Sequence, residues 1–260
     1  MAAAVFVLGL GFLGQPLAHA LCQQGWSVAG SRRRAPSEAE EGFYSFDVTA
    51  TVPNAAAQPA LLMAESLVCL LPPSSSANYA ADVMRLIGWM QANGRLRQVV
   101  LASSTSVYGD EARVCTEATP TAASTASAQA IVALETAVNQ STVAQVSVLR
   151  FGGLFGPSRH PVTALATKQQ IKGAQQPVNV VSQSDAVAAI MQVLAKPLSA
   201  RQLYNVCHPQ HPSKQAFYQR EADRRGLGVL AFEAGACSEG KIIDGGAYLK
   251  DYGVVMDDLI

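Results

Sequence analysis

Three glycines near the start of the chain are spaced so as to hold a phosphate group. Gly9, Gly11 and Gly14 form G-x-G-x-x-G after the apolar run Val5-Phe-Val-Leu and before a helical stretch. Gly9 permits a tight turn, Gly11 lets the backbone approach a pyrophosphate, and Gly14 lets the helix pack closely on the strand. The helix N-terminus then offers N–H groups to the anion. A glycine spacing alone is weak, but a strand before it and a helix after it are the context that a dinucleotide site requires. An acid about twenty residues further on would hold a ribose 2′-hydroxyl. Here that place reads Gly30-Ser31-Arg32-Arg33-Arg34, with no acid. Ser31 and the guanidinium groups suit a 2′-phosphate, which makes NADP(H) the expected ligand in preference to NAD. The competing account of this stretch is a solvated basic turn. Asp47 follows a third strand, where a carboxylate can accept from an adenine amino group; a helix cap is the alternative.

These residues need a sheet to position them. Candidate strands at Val5–Leu8, Ser27–Ala29, Gly42–Phe46, Ser66–Leu71, Gln98–Ala102 and Val146–Phe151 alternate with candidate helices at Leu13–Gln24, Ala56–Ala64, Ala77–Asn93 and Thr125–Asn139. That alternation predicts an α/β fold: a Rossmann doubly wound parallel sheet with helices on both faces. Residues 1–156 are read as the dinucleotide-binding domain and 157–260 as a smaller C-terminal substrate lobe with segments returning to the sheet. In the lobe, helices are expected at Pro161–Lys172, Asp185–Ala195 (capped by Asp185) and Ser213–Gly226. Short strands are expected at Val178–Val181 and Leu203–Cys207, before a glycine-rich tail of little periodicity.

Composition narrows the function. Apolar residues make up 49 % of the chain and charged residues 15 %, which suits a buried parallel sheet. The formal net charge is zero, with no basic stripe, so nucleic acid is not an expected partner. No apolar run spans a bilayer. The apolar start ending in Ala18-His19-Ala20 lacks a basic flank and is broken by Pro16, which argues against an export signal. Cys22, Cys69, Cys115, Cys207 and Cys237 are scattered, as expected of buried free thiols in a reducing cytoplasm. Cys207, His208 and His211 lie close together but have no matching second pair for zinc. No G-x-S-x-G elbow is present to support hydrolysis.

Further along, the chain reads Val99-Val-Leu-Ala-Ser103-Ser104-Thr105-Ser106-Val107-Tyr108-Gly109. This resembles the strand end of the extended short-chain dehydrogenases, the NAD(P)-dependent epimerase/dehydratase family. The similarity continues through Glu117-Ala-Thr-Pro120, Leu149–Arg159, Val178–Asp185, Tyr204-Asn205-Val206 and Gly240-Lys241-Ile-Ile. The resemblance implies a catalytic Ser, matched by Ser104, and a Y-x-x-x-K pair whose Tyr moves the proton while Lys lowers its pKa. Those slots fall at about Ser127 and Ile131, counting back from Glu135, and no Tyr or Lys lies between Tyr108 and Lys168. The combination is similar to an atypical branch of small bacterial epimerase/dehydratase-like proteins that lack the pair.

With the resemblance, the expected nucleotide contacts are Gly9, Gly11, Phe12, Leu13, Gly14, Ser31, Arg32, Arg33, Asp47, Leu71, Pro72 and Ser103. Ser104 and Tyr108 are the catalytic candidates, although Tyr108 in this fold generally packs below the site. Arg159 and Asn179 are the substrate-binding candidates. For Arg159 a bidentate grip on phosphate or carboxylate competes with capping of the next helix. The implied protein is cytoplasmic and uses NADP(H) on a small molecule, phosphorylated or nucleotide-linked, with a homodimer left open. Two functions stand side by side: an oxidoreductase or isomerase on a sugar-like substrate, and a catalytically silent NADP(H)-binding sensor.

Overall fold

The computed structural model describes residues 4–32, 42–233 and 239–259. Eleven strands are described: β1 (Ala4–Leu8), β2 (Ser27–Arg32), β3 (Phe43–Ser45), β4 (Ser66–Cys69), β5 (Gln98–Ser104), β6 (Val114–Cys115), β7 (Gln145–Phe151), β8 (Gly153–Phe155), β9 (Val180–Ser182), β10 (Arg201–Val206) and β11 (Ile242–Ile243). The α-helices are α1 (Gly14–Gln23), α2 (Gln58–Met63), α3 (Tyr79–Asn93), α4 (Ala126–Asn139), α5 (Pro161–Leu165), α6 (Gln183–Ala195), α7 (Lys214–Arg224) and α8 (Gly246–Tyr252).

Seven strands form one sheet in the order β10-β7-β5-β4-β1-β2-β3, a Rossmann-like parallel sheet with helices around it. The order reverses between β1 and β4, so the crevice at their carboxyl ends is the place where such folds hold ligands. Alternate residues explain the packing. Phe6 and Leu8, Leu67 and Cys69, Val99 and Leu101, and Val146 and Val148 share one core with side chains of α2, α3 and α4. The intervening Val5, Val7, Val68, Val100 and Leu149 are buried as well, as a sheet covered on both faces demands.

The chain divides into two compact units. One contains Met1–Val107, Ala123–Arg150 and Val187–Leu203; the other contains Tyr108–Ala122, Phe151–Ala186 and Tyr204–Ile260. Gly156-Pro157, where the second lobe is expected to begin, is a local turn in which Gly156 and Arg159 pair as a bridge. Three expectations are corrected. The helix expected over Pro161–Lys172 ends at Leu165, since Ile171 pairs instead with the segment at Phe232. The cap of α6 is Ser182, whose hydroxyl oxygen accepts the Asp185 amide at 3.0 Å, while the Asp185 carboxylate accepts from that hydroxyl at 2.6 Å. Cys22 is exposed, whereas Cys69, Cys115 and Cys207 are buried free thiols; Cys237 lies outside the described residues. Among the described residues no helix is long and apolar enough to cross a membrane.

Candidate functional site

The glycine turn joins β1 to α1. Gly9 takes φ +107°, a conformation that side-chain-bearing residues rarely adopt. The amides of Gly9 and Leu10 both donate to the Ser31 carbonyl at the end of β2, at 3.1 and 2.7 Å, and Gly11 N–H donates to the Gly9 carbonyl at 2.9 Å. A Cβ on Gly14 would lie 2.2 Å from the Gly9 carbonyl oxygen, so only glycine lets the helix start this close to the turn. A Cβ on Gly11 would meet nothing within 4 Å, so this glycine faces open space. The helix has no side-chain cap, and the amides of Leu13 and Gly14 donate to no carbonyl among the described residues. The turn therefore presents unused donors at a helix N-terminus, the arrangement an anion needs.

The end of β2 and the segment after β4 flank this turn, and α3 holds the segments that follow β3 and β4. Ser31 and Arg32 sit inside β2 rather than in a turn after it; Ser31 is buried and Arg32 half-buried. Arg33 lies outside the described residues. Asp47 accepts the Thr49 amide at 2.9 Å and its hydroxyl at 2.7 Å, which hold its carboxyl below the usual carboxylate range. That is a local turn rather than a helix cap. Arg85 donates through Nη2 to the carbonyls of Val48 and Thr49, both at 3.0 Å, and pairs with Asp82 at 2.6 Å. Asp82 also accepts from the Ser76 hydroxyl, the main reason its pKa is low. Tyr79 donates to the Leu71 carbonyl at 2.9 Å, fixing the Leu71-Pro72 segment. Ser76, Tyr79, Asp82 and Arg85 escaped the sequence reading, though the Asp82/Arg85 i,i+3 pair on a helix was available as a signal.

At the end of β5 two serines have different tasks. The Ser103 hydroxyl donates to Glu135 Oε1, and its oxygen accepts the Ser104 amide at 2.6 Å. Glu135, on α4, accepts from Arg150 of β7 through both oxygens, at 3.0 and 2.7 Å, and both residues are buried. Ser104 is half-buried, and among the described residues its hydroxyl oxygen accepts a local amide, Ser106, at 3.1 Å and no other. Its O–H thus remains able to donate to a bound group.

In the second unit the candidate polar groups are more occupied. Tyr108 is fully buried and donates to Asn205 Oδ1 at 2.7 Å. Asn179 donates to the Lys241 carbonyl and accepts the Ile243 amide, both at 2.8 Å, so its amide clips the segment entering β11. Arg159 is exposed, and the cap of α5 is not Arg159 but His160, whose Nδ1 accepts the Val162 amide at 3.2 Å. His208 and His211 hydrogen-bond the carbonyls of Asp257 and Val178, and burial pushes the Cys207 thiol up to about 12.

His160 carries a prediction. Its Nδ1 must be unprotonated to accept, which leaves the proton on Nε2, 3.4 Å from Glu221 and not aligned for a hydrogen bond. Burial lowers its pKa below 6.5, with Glu221 opposing and Arg225 assisting. The unfolded chain therefore binds this proton more readily, and stability falls as pH drops from above 6.5 towards the lowered value. In urea titrations, His160→Asn, which keeps a capping oxygen, should flatten that acid-side slope by at most about 1.4 kcal/mol per pH unit. Identical slopes in the two proteins would contradict this assignment.

The profile of the NAD dependent epimerase/dehydratase family matches residues 5–207, most of the chain. The chain belongs to that family. It is 33 % identical to the protein YeeZ of Escherichia coli (strain K12), over 96 % of this chain and 94 % of YeeZ. A candidate NAD-dependent epimerase/dehydratase of Methylobacillus flagellatus superposes with a TM-score of 0.80 at 26 % identity, covering 98 % of this chain and 93 % of that one. The UDP-glucuronic acid 4-epimerase of Bacillus cereus, solved with NAD, has the same fold: TM-score 0.80 at 15 % identity, covering 98 % and 92 %. No Tyr or Lys lies between Tyr108 and Lys168, and on α4 Ser127 is exposed and Ile131 buried. An isoleucine facing the core gives no cation to lower a phenol's pKa, and a serine hydroxyl is a poor acid or base at neutral pH.

Proposed function

We propose that this epimerase/dehydratase family member binds NADP(H) at the carboxyl ends of β1 and β2. The observation that carries the reading is the turn at Gly9–Gly14, with unused amides at the start of α1 and space above Gly11. Arg32, at the end of β2 where no acid stands, is the proposed partner of the 2′-phosphate, with Ser31 beside it. Phe12, Leu13, Asp47, Leu71, Pro72 and Ser103 complete the nucleotide contacts in this reading, Ser103 through its backbone. The substrate is a small phosphorylated or nucleotide-linked molecule, held in part by Arg159, and the protein works in the cytoplasm. Ser104 is the proposed donor to the reacting oxygen, while Tyr108 serves packing.

Titration with NADPH and NADH tests the cofactor. Wild type should prefer NADPH, and Arg32→Ala should cost about 1.5–3 kcal/mol of NADPH binding with little effect on NADH. Equal affinities in the wild type, or a ratio unmoved by the substitution, would end the assignment. A second reading, a dinucleotide-binding sensor without turnover, is favoured by the lack of any Tyr or Lys between Tyr108 and Lys168. Conversion of a nucleotide sugar, read from the sugar by chromatography as well as from net NADPH absorbance, supports the enzyme; dinucleotide binding without either change supports the sensor.

A further inference from the structure

Between α5 and α7 the second unit holds a cleft of about 630 Å³ that none of the proposed dinucleotide contacts lines. Its walls are apolar: Pro161 and Leu165 of α5, Ile171 after it, and the ring of Tyr218 on α7. The floor is solid, because Val162, Ile171, Ala222 and Leu230 form a buried cluster on which Leu165 and Tyr218 pack. Polar groups entering this cleft are mostly donors. Lys168, Lys172 and Lys214 line it, and none pairs with a carboxylate among the described residues. Lys214 is steadied by donating to Gln176 Oε1 at 2.7 Å. The Tyr218 hydroxyl makes no hydrogen bond among the described residues, and burial raises its pKa, so it stays a neutral donor.

Three lysines lining one cleft give it positive charge, which an anion bound there would offset. An apolar wall beside them removes water from the non-polar part of a ligand, and a volume in this range is typical of small-molecule sites. We infer that the α5/α7 cleft is a binding site for a small amphiphilic anion, an alkyl or aryl body carrying a phosphate or carboxylate. The head group sits among Lys168, Lys172 and Lys214 with the Tyr218 hydroxyl donating to it, and the body lies along Pro161, Leu165 and Ile171. The site is built from the second unit alone and stands whether or not the dinucleotide reading holds.

Calorimetric titration of the full chain without dinucleotide tests this, using octyl phosphate, octanoate and octanol below their aggregation limits. Octyl phosphate should bind saturably at one per chain, and octanol about tenfold more weakly or worse, because it brings no charge to the lysines. The double substitution Lys168→Gln with Lys172→Gln, at exposed positions, should weaken octyl phosphate about tenfold and leave octanol unmoved. Tyr218→Phe should weaken it about threefold, the scale of one hydrogen bond. Tighter binding of octanoate than of octyl phosphate would name carboxylate as the head group within the same site. Octanol binding as tightly as octyl phosphate, a folded double variant that binds as wild type, or no saturation by either anion would overturn the inference.

Discussion

Glu135→Ala should lower the stability of the protein by about 3–5 kcal/mol, the largest loss expected from any single polar substitution in the first unit. The carboxylate accepts two hydrogen bonds from Arg150 and one from Ser103, and both members of the ion pair are buried. Removing it takes from a buried guanidinium the carboxylate that pairs with it, a cost larger than that of losing the pair as a whole. Glu135→Leu combined with Arg150→Met should therefore recover most of the stability, because the guanidinium is then removed with the carboxylate. Denaturant unfolding of the single and double variants checks this. A single-variant loss below about 1 kcal/mol, or a double variant no better than the single, would contradict the account of this network. Because Ser103 also accepts the Ser104 amide, the same substitution should loosen the strand end that carries the candidate donor.

Gly14→Ala should be the most damaging change at the phosphate turn. Its Cβ would lie 2.2 Å from the Gly9 carbonyl oxygen and 3.0 Å from the Gly9 carbonyl carbon, both backbone atoms that no rotamer change can move. The helix must then shift off the turn, which costs about 1–3 kcal/mol by analogy with overpacking. The amides of Leu13 and Gly14 lose their aim, and dinucleotide binding should fall by more than about tenfold. A variant with wild-type thermal stability and wild-type NADPH affinity would refute the claim that this close approach matters.

The first half of the molecule was largely legible in the sequence, because its signals are local. The strand before Gly9, the 3.6-residue periodicity of α3 and α4, and the β5 end at Ser103-Ser104 each follow from a few neighbouring residues. Legibility failed where distant segments decide. Nothing near Lys168 announces that Ile171 will pair with Phe232, so the helix ends early. The two-residue strands β6 and β11 pair with each other across the sequence and carry no period of their own. The partners of Asn179 at Lys241 and Ile243 lie far along the chain, so the segment its amide clips cannot be read from its neighbours. The same holds for Arg85, whose acceptors around Val48 and Thr49 belong to another loop.

The site was legible in its backbone and not in its electrostatics. G-x-G-x-x-G fixes where amides point, and a single stretch of sequence contains all of it. Whether Ser31 offers its hydroxyl depends on burial within β2, which runs through Ser31 and Arg32 beyond the expected strand end. The lysines of the α5/α7 cleft are spread over Lys168, Lys172 and Lys214, and only folding brings the third to the other two.

The central claim is that a dinucleotide pyrophosphate lies against the backbone at Gly11. Gly11→Val is the direct test, because a side chain there meets no protein atom within 4 Å of its Cβ and should leave the fold intact. Thermal unfolding of this variant should match wild type within about 1 kcal/mol, while titration with NADPH and NADH should show both affinities reduced by more than about a hundredfold. A folded Gly11→Val protein that binds either dinucleotide as tightly as wild type would contradict it.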